Sequence, residues 1–534
     1  MPDRRVPDRA RAPKHLSLAL ALIAALAAVS LWSRPLIPID ETRYVSVAWE
    51  MWVRGDFLVP FKNGEPYSHK PPLLFWLIHL GWVLFGVSET WPRLVSPLAA
   101  GAAAVLTLRV ARGLWPERPE AAARAPLILS ACVLWAVFSG ALMFDLLLAD
   151  CVLIALLGLV QAARGRLLRG WLAVGAGIGL GLLTKGPVVL LHVLPVAAAA
   201  PWWAAGAGLR LRQWFGGLAA AVLLGALIAL AWAIPAGLRG GETYRDAIFW
   251  GQTANRMVES FAHRRSIAWY LPVLPIALFP WFAWPPAWRG LARLARGASE
   301  AGARFCLAWI VPVFVAFSLI SGKQAHYLLP LFPGFALLAA RALEESGLRR
   351  HDGWLPGGLL AAAGLGLAVA PAQGMLAAVP GARVALAGAL MIVAGGAAAL
   401  RPGPLDRALG KLAAGTAFAL AAVFATLVKS LGPGYDVGPM AARIRALQDA
   451  GHPVANLGSY HDQYQFPGRL VTPLVELRPG EMERWLDAHP DGWVVAHFRD
   501  PAQVPSSKDG FVQALPGAPA ALLPAREARS LRTR

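Results

Sequence analysis

The sequence predicts a polytopic α-helical membrane protein with about thirteen transmembrane helices and a small C-terminal α/β domain. Of its 534 residues, 57% are hydrophobic and 15% are charged, whereas ordinary soluble domains carry roughly 25% charged residues. Apolar runs of about 17–20 residues, long enough to cross a bilayer as helices, recur along most of the chain. Arginines cluster in short segments between these runs, so the net charge of +19 indicates membrane orientation rather than nucleic-acid binding.

The first apolar run is predicted to be an uncleaved helix over about Leu16–Trp32, preceded by a basic N-terminus. Ala25-Leu26-Ala27 has the form of a signal cleavage site, but the apolar run continues beyond it. The three cysteines lie within apolar runs, without the spacing of a disulfide or metal site, and we interpret them as packing residues. They are Cys132, Cys151 and Cys306.

A polar segment follows this helix, and residues 34–92 form the predicted first outer loop. Five carboxylates lie in its stretch from Pro38 to Pro72, at Asp40, Glu41, Glu50, Asp56 and Glu65. The apolar run Leu73–Phe85 is short and rich in Trp and Phe. A full crossing there would place the arginines that follow the next run on the outer side. We therefore predict an interfacial helix for it.

The remaining apolar runs alternate so that the strong Arg clusters fall on the inner side. The second helix spans about Arg93–Leu108. The third spans about Ala125–Met143 and ends at Asp145, and the last spans about Leu412–Leu427. A second outer loop covers about residues 236–267. The predicted transmembrane domain is thus 1–429.

The C-terminal segment, 430–534, has a different pattern and predicts an α/β domain outside the membrane. Met440–Ala450 and Glu481–Ala488 have helical periodicity, whereas Val454–Leu457 and Trp493–Phe498 are typical of strands. The Arg- and Ala-rich tail after Pro516 indicates disorder.

This topology places unusual polar residues together at the outer face. They are Asp40, Glu41, Lys70, Asp145, Lys185, Arg256, His263, Lys323, His326 and Tyr327. Ionisable groups at membrane depth are costly and therefore indicate function. A few carboxylates among several cations favour a site for a phosphate-bearing substrate. When a sugar leaves a lipid phosphate, fixed cations can stabilise the developing charge, and a carboxylate can act as a base, orient the nucleophile or stabilise oxocarbenium-like charge.

An ordered set of motifs carries a family resemblance over about residues 16–345. The motifs are Asp40-Glu41-Thr42-Arg43-Tyr44, Gly55-Asp56-Phe57-Leu58-Val59-Pro60, Tyr67-Ser68-His69-Lys70-Pro71, Leu183-Thr184-Lys185-Gly186, Phe249-Trp250 with Asn255-Arg256, His263-Arg264, and Ser321-Gly322-Lys323 with Tyr327. They resemble the lipid A aminoarabinose transferases, a GT-C glycosyltransferase family related to the protein O-mannosyltransferases.

The resemblance implies transfer of 4-amino-4-deoxy-L-arabinose from undecaprenyl phosphate to lipid A phosphate. It also implies a multi-pass protein of the bacterial inner membrane, with its site and C-terminal domain in the periplasm and a role in polymyxin and cationic peptide resistance. The expected partners are the lipid-linked donor, lipid A and membrane lipids, with no nucleic acid, and we expect a monomer.

The same resemblance implies roles for individual residues. It implies that Asp40, Asp145 and Glu41 are catalytic. It also implies that the lipid phosphate is bound by Lys70, Arg43, Arg256, Lys185, Lys323 and Tyr327. The chain departs from the family at His69, where the family often has Glu before Lys-Pro. Family members can hold a divalent ion between that Glu and the outer-loop His, here His263. A His69–His263 pair is a candidate zinc site, because imidazole is a good zinc ligand.

We also consider simpler interpretations of these residues. Asp40 could be a helix cap, Lys70 could reach lipid headgroups, and Asp150 could be a buried hydrogen-bonded residue. The glycines of Gly175–Leu183 are typical of helix packing rather than nucleotide binding. A GT-C transferase with another sugar or acceptor is one alternative function. A transporter of lipid-linked sugars is another, but we find no inverted repeat in the sequence.

Overall fold

The structure is a computed structural model that describes residues 11–251, 264–296, 300–369, 374–400, 403–516 and 519–531. Its α-helices are α1 Arg11–Ser33, α2 Asp40–Arg54, α3 Leu73–Phe85, α4 Thr90–Leu114, α5 Pro119–Ala131, α6 Val133–Ser139, α7 Phe144–Ala163, α8 Leu167–Lys185, α9 Val188–Ala198, α10 Ala200–Trp203, α11 Leu211–Arg239, α12 Glu242–Asp246, α13 Tyr270–Ala277, α14 Pro285–Arg296, α15 Ala301–Leu319, α16 Phe332–Glu344, α17 Trp354–Val369, α18 Gly381–Ala399, α19 Leu405–Val423, α20 Lys429–Leu431, α21 Gly438–Asp449, α22 Gln465–Gly468, α23 Met482–Ala488 and α24 Ala525–Ala528. The strands are β1 Phe61–Lys62, β2 Glu65–Pro66, β3 Val454–Leu457, β4 Val475–Leu477, β5 Trp493–His497, β6 Phe511–Gln513 and β7 Ala520–Pro524.

The long apolar helices confirm a multi-pass membrane protein. Within the described ranges, nine helices are long and apolar enough to cross a bilayer, or ten if the bent pair α5 and α6 forms one span. Shorter apolar helices include α9 and α17. A count of about thirteen spans requires three of these shorter helices to cross as well, and it stays a prediction. Helix α3 has 13 residues and leaves Leu84 and Phe85 exposed, which suits the predicted interfacial position.

The predicted third helix is wrong in its shape. A bend of 67° separates α5 from α6, because the Val133 amide donates to the Phe279 carbonyl (3.0 Å) and leaves the helical ladder. The predicted position of Asp145 is also wrong. This residue does not end a helix but stands in the first turn of α7, where the partial positive charge of a helix N-terminus favours a carboxylate.

Small residues bring α7 and α8 together, as the glycine run predicts. A Cβ added at Gly177 would lie 2.6 Å from the Ala155 amide nitrogen and from the Cys151 carbonyl oxygen, both on α7. Only glycine therefore permits this approach of the two backbones. The close packing aligns the C-terminal end of α8 with the N-terminal end of α7.

Ion pairs gather at the opposite end of the bundle from α7's first turn. They are Arg118–Glu344 (3.9 Å), Arg124–Asp406 (2.7 Å), Arg289–Asp352 (2.6 Å) and Arg341–Glu345 (2.8 Å). The first three pairs join segments that are distant in sequence, whereas Arg341 and Glu345 are only four residues apart. The sorting of all Arg clusters to a single side of the bundle stays a prediction.

The second outer loop is shorter than predicted at its start, because α11 continues to Arg239. Helix α12 and a π-helical turn at Ala247–Gly251 follow. Residues 252–263 lie outside the described ranges.

The C-terminal segment forms a five-stranded mixed sheet in the order β4-β3-β5-β7-β6. Strand β3 is parallel to β4 and β5, whereas β7 is antiparallel to β5 and β6. The two predicted strands and two predicted helices are confirmed as β3, β5, α21 and α23. The predicted disorder of the whole tail is wrong. Strand β7 has four buried residues and lies inside the sheet, because its short Ala-Leu run is apolar on both faces.

This C-terminal domain is fixed to the first outer loop by hydrogen bonds around Asn63, at the tip of the β1–β2 hairpin. The Asn63 side chain donates to the Leu474 carbonyl (2.8 Å) and accepts from the Leu474 amide (2.8 Å). The Asn63 amide donates to Asp462 Oδ2 (3.0 Å). Backbone amide and carbonyl groups of the hairpin and of the C-terminal domain thus have hydrogen-bond partners across the interface. The interface is therefore specific rather than only apolar.

Asp462 makes the stability of this interface depend on pH. Burial raises the pKa of Asp462 to about 8, against the opposing charge of Lys62 and with support from Glu50 and Glu476. The folded carboxyl thus binds its proton more tightly than the unfolded one, whose pKa is near 3.8. The stabilisation is complete below that value and is lost as the pH rises to about 8. We expect the unfolding temperature of the detergent-solubilised protein to fall between pH 5 and 9, and to fall less in Asp462→Asn. Equal slopes in both proteins would contradict this expectation.

Candidate functional site

A buried ion pair forms the centre of the site. Lys185, the last residue of α8, donates from Nζ to Asp145 Oδ1 at 2.6 Å. The Asp145 side chain is 2% exposed and that of Lys185 is 17% exposed. A carboxylate this deeply buried requires a partner charge, and the packing of α7 on α8 supplies it.

His326 and Tyr327 complete the surroundings of this pair. His326 Nε2 lies 4.0 Å from Asp145 Oδ2, and the Lys185 ammonium lies over the Tyr327 ring at 4.6 Å. Both residues belong to the 3-10 turn Ala325–Leu331 that leads into α16. The structure therefore brings together three helix ends that the sequence predicts on one face.

Asp40, the second carboxylate, is accessible. It is the first residue of α2, and 46% of its side chain is exposed. It forms an ion pair with Arg43 and accepts from the Tyr44 hydroxyl at 3.3 Å. Burial, reinforced by the Asp40 carboxylate, raises the pKa of Tyr44, so the phenol keeps its proton near neutral pH and acts as a donor.

Aromatic contacts with Phe144 join the first outer loop to the first turn of α7. The Tyr44 ring meets the Phe144 ring edge to face at 4.9 Å. The Lys70 ammonium lies over the same Phe144 ring at 5.2 Å. Because Phe144 precedes Asp145, these contacts place Asp40, Lys70 and the Asp145–Lys185 pair within one region.

Glu41 has a different environment from Asp40. It is 4% exposed, pairs with Arg34 through both carboxylate oxygens, and accepts from the amides of Ile37 (2.8 Å) and Leu142 (2.7 Å). Its oxygens are thus occupied by groups of the protein. Glu41 fastens the start of α2 to the segment that leads into α7, which is the geometry of a positioning residue.

Lys323 is also enclosed. It is 2% exposed, and its ammonium donates to the carbonyls of Arg265 (3.2 Å) and Ile320. A further backbone bond joins the Arg265 amide to the Ser321 carbonyl at 3.1 Å. These contacts hold residues 264–265 against the segment that follows α15.

Two predicted site residues, Arg256 and His263, lie outside the described residues. The predicted metal partner His69 has its ring 5.2 Å from that of Tyr67. Within the described ranges, no group of three or more His, Cys, Asp or Glu side chains could hold a metal ion. The His69–His263 zinc site stays a prediction.

Sequence reasoning missed the contributions of Tyr44 and Arg34. Tyr44 belongs to the predicted Asp-Glu-Thr-Arg-Tyr motif, and its position four residues after Asp40 places both on one helix face. That spacing could have identified it. Arg34 directly follows the first helix, where a basic residue is ordinary, and no local signal marks it.

One family model matches residues 69–237, the one described as dolichyl-phosphate-mannose-protein mannosyltransferase. This range contains Lys70, Asp145 and Lys185. It covers less than half of the chain, and Asp40 and the C-terminal domain lie outside it.

Curated relatives match a larger part of the chain than the family model does. The undecaprenyl phosphate-alpha-4-amino-4-deoxy-L-arabinose arabinosyl transferase of Erwinia tasmaniensis is 32% identical over 306 residues, which is 56% of this chain and 54% of the relative. A protein described as the same kind of transferase from Pseudomonas fluorescens is 32% identical over 336 residues, 62% of this chain and 59% of the relative. The match thus spans little more than half the length of these relatives.

A solved structure matches nearly the whole chain. ArnT from Cupriavidus metallidurans bound to undecaprenyl phosphate superimposes with a TM-score of 0.74, covering 95% of this chain and 97% of that one at 20% identity. Its apo form gives a TM-score of 0.75 at 21% identity. The chain is therefore a multi-pass membrane protein with the GT-C fold of ArnT, and its sequence is similar to the aminoarabinose transferases.

Proposed function

We propose that this protein is a glycosyltransferase that moves 4-amino-4-deoxy-L-arabinose from undecaprenyl phosphate to a phosphate of lipid A. The observation that carries the proposal is an accessible carboxylate, Asp40, beside the Asp145–Lys185 pair and Lys70. This constellation lies at one end of a bundle with the fold of ArnT. The names of the similar relatives supply the donor.

Lys70 and Lys185 are suited to hold the donor's lipid phosphate. Lys185 ends the apolar helix α8, and Lys70 lies three residues before the apolar helix α3. A lipid headgroup would arrive there from the bilayer, and aromatic faces flank both ammonium groups. When the sugar's anomeric carbon separates from the phosphate oxygen, negative charge grows on undecaprenyl phosphate. Fixed cations stabilise that charge. By resemblance, Arg256 and Tyr327 act at the same phosphate.

Asp145 and Asp40 have different roles in this proposal. Asp145 is saturated by Lys185 and lies close to His326, so it orients the cations rather than touching the sugar. Asp40 is exposed and faces the region where the sugar must lie. Its charge can stabilise the oxocarbenium-like transition state and orient the incoming acceptor.

The transfer balances without an added proton. An oxygen of the acceptor phosphate dianion forms a bond to the anomeric carbon, and the bond from that carbon to the undecaprenyl phosphate oxygen breaks. The acceptor becomes a phosphodiester with one negative charge, while undecaprenyl phosphate leaves as a dianion. The total charge is therefore conserved, and Asp40 need not remove a proton.

We place the site, the C-terminal domain and the first outer loop on the periplasmic side of the inner membrane, in a monomer that confers resistance to cationic peptides. The Arg-rich opposite end supports this orientation. Glu41 and Lys323 act as positioning residues in this proposal, because protein groups occupy both side chains. Zinc at His69 and His263 remains part of the proposal, with no step assigned to it.

Transfer by the purified protein tests this function. The protein in detergent, given undecaprenyl-phosphate aminoarabinose and lipid A, should yield lipid A carrying an aminopentose and free undecaprenyl phosphate in equal amounts. A control reaction uses dephosphorylated lipid A and should yield neither. Release of the sugar to water alone, or transfer to a peptide rather than to lipid A, would reject the acceptor named here.

A further inference from the structure

A short segment, residues 56–60, leads from the end of α2 into the β1–β2 hairpin and begins with a buried carboxylate. Asp56 is 8% exposed, and its Oδ1 accepts from the amides of Leu58 (3.0 Å) and Val59 (3.2 Å). A carboxylate that accepts from amides two and three residues further on stabilises a tight turn. Asp56 therefore fixes the directions in which the carbonyl groups of this segment point.

Helix α11 holds the 56–60 segment from one side. Trp232 Nε1 donates to the Leu58 carbonyl at 2.8 Å. Arg239 Nε, at the end of the same helix, donates to Asp56 Oδ2 at 2.8 Å. Both carboxylate oxygens of Asp56 are thus bonded, one within the turn and one to α11.

Apolar packing extends this connection to Lys185. Val59 is fully buried and belongs to one hydrophobic cluster with Leu183, which lies two residues before Lys185 at the end of α8. Helices α8 and α11 also approach each other closely, since a Cβ added at Gly179 would lie 2.7 Å from Ile228 Cβ. The 56–60 segment and Lys185 are therefore supported by the same pair of packed helices.

Two further hydrogen bonds connect the 56–60 segment to the chain around Lys70. The Tyr67 amide donates to the Pro60 carbonyl at 2.7 Å, and Trp76 Nε1 donates to the Phe57 carbonyl at 2.7 Å. Tyr67 precedes Lys70 by three residues, and Trp76 follows it by six. The chain is thus anchored to this one segment on both sides of Lys70.

We propose that Asp56 is a positioning residue that holds Lys70 in place relative to Lys185, so that both ammonium groups meet the lipid phosphate of the donor. This inference rests on the proposed function and deepens its donor site. Asp56 acts through the 56–60 segment and is assigned no contact with either substrate. Cations stabilise a leaving phosphate well only when they are held in place before the reaction, and small displacements are costly.

Kinetics that separate the two substrates test the inference. We expect Asp56→Ala to raise the KM for the donor by about tenfold and to leave the KM for lipid A unchanged. Asp56→Asn keeps an oxygen for the two amides and should raise the donor KM less. The matched control is Asp500→Ala, which removes a similar turn contact in the C-terminal domain, where Asp500 Oδ1 accepts from the Ala502 amide at 2.9 Å. A donor KM equal to that of the control, or an equal rise in the KM for both substrates, would overturn the inference.

A second variant keeps the test decisive if Asp56→Ala does not fold. Trp232→Phe keeps an aromatic ring but removes the donor to the Leu58 carbonyl, and it should also raise the donor KM. Trp288→Phe is its matched control, because it removes an indole bond to the Phe282 carbonyl (2.7 Å) at the opposite end of the bundle. Equal donor KM values in the two Trp variants would overturn the inference.

Binding of undecaprenyl phosphate separates this inference from the proposed function. If the unmodified protein transfers no sugar to lipid A, the proposed function fails, whereas binding of this lipid can still be measured by titration of the full-length protein in detergent. We expect an affinity about tenfold lower in Asp56→Ala and unchanged in Asp500→Ala. Absence of binding by the unmodified protein, or equal affinities in both variants, would overturn the inference.

Discussion

Asp40→Asn is expected to reduce sugar transfer to lipid A by about 10²–10⁴-fold while the protein is still made and inserted. Asparagine has nearly the same shape and keeps an oxygen for the Tyr44 hydroxyl, which lies 3.3 Å away. The substitution removes only the charge of an accessible carboxylate. Initial rates at saturating donor and acceptor measure the effect.

The matched control for this prediction is Asp449→Asn. Asp449 is an exposed carboxylate in α21 that pairs with Arg445 at 3.4 Å, and such surface pairs contribute little to stability. This variant should retain full activity. Binding of undecaprenyl phosphate should be the same in both variants, since Asp40 is assigned no contact with the lipid phosphate. Transfer by Asp40→Asn at the rate of the control would refute the role of Asp40.

Lys185→Met is expected to destabilise the protein by about 3–5 kcal/mol, because it leaves the Asp145 carboxylate buried without its principal partner. His326, at 4.0 Å, can compensate in part, which favours the lower end of that range. Transfer should also fall by about 10²–10³-fold, since the leaving phosphate loses a cation. Denaturant unfolding in detergent and initial rates measure the two effects.

A double variant separates stability from chemistry at this pair. Asp145→Asn combined with Lys185→Met removes both charges and should recover most of the lost stability. It should not recover transfer, because the phosphate-binding cation is still missing. If the double variant regained activity, Lys185 would be a structural residue only. If Lys185→Met had the same free energy of unfolding as the unmodified protein, the ion pair between Lys185 and Asp145 would not stabilise the fold.

The sequence is sufficient to predict which residues share the site face. Hydropathy and the positions of the Arg clusters decide on which side each segment emerges, so Asp40, Lys70, Asp145 and Lys185 fall together. The pairing of individual side chains is harder to predict from the sequence. That Asp145 meets Lys185 depends on the glycine-mediated approach of α8 to α7, which the sequence indicates only as a tendency to pack.

Three features could not be predicted because they depend on distant contacts. The bend at Cys132 follows from a hydrogen bond between Val133 and Phe279. The strand β7 is short and resembles its Ala-rich surroundings, and only its neighbours in the sheet stabilise it. The hydrogen bond from the Phe466 amide to Ser46 Oγ depends on the docking of a whole domain.

Mass spectrometry of lipid A from cells with and without this protein tests the central claim most directly. The account predicts lipid A species heavier by one aminopentose, attached at a phosphate, only in cells that contain the protein. Cells that carry Asp40→Asn should lack these species. Identical lipid A profiles in the presence and absence of the protein would contradict the account.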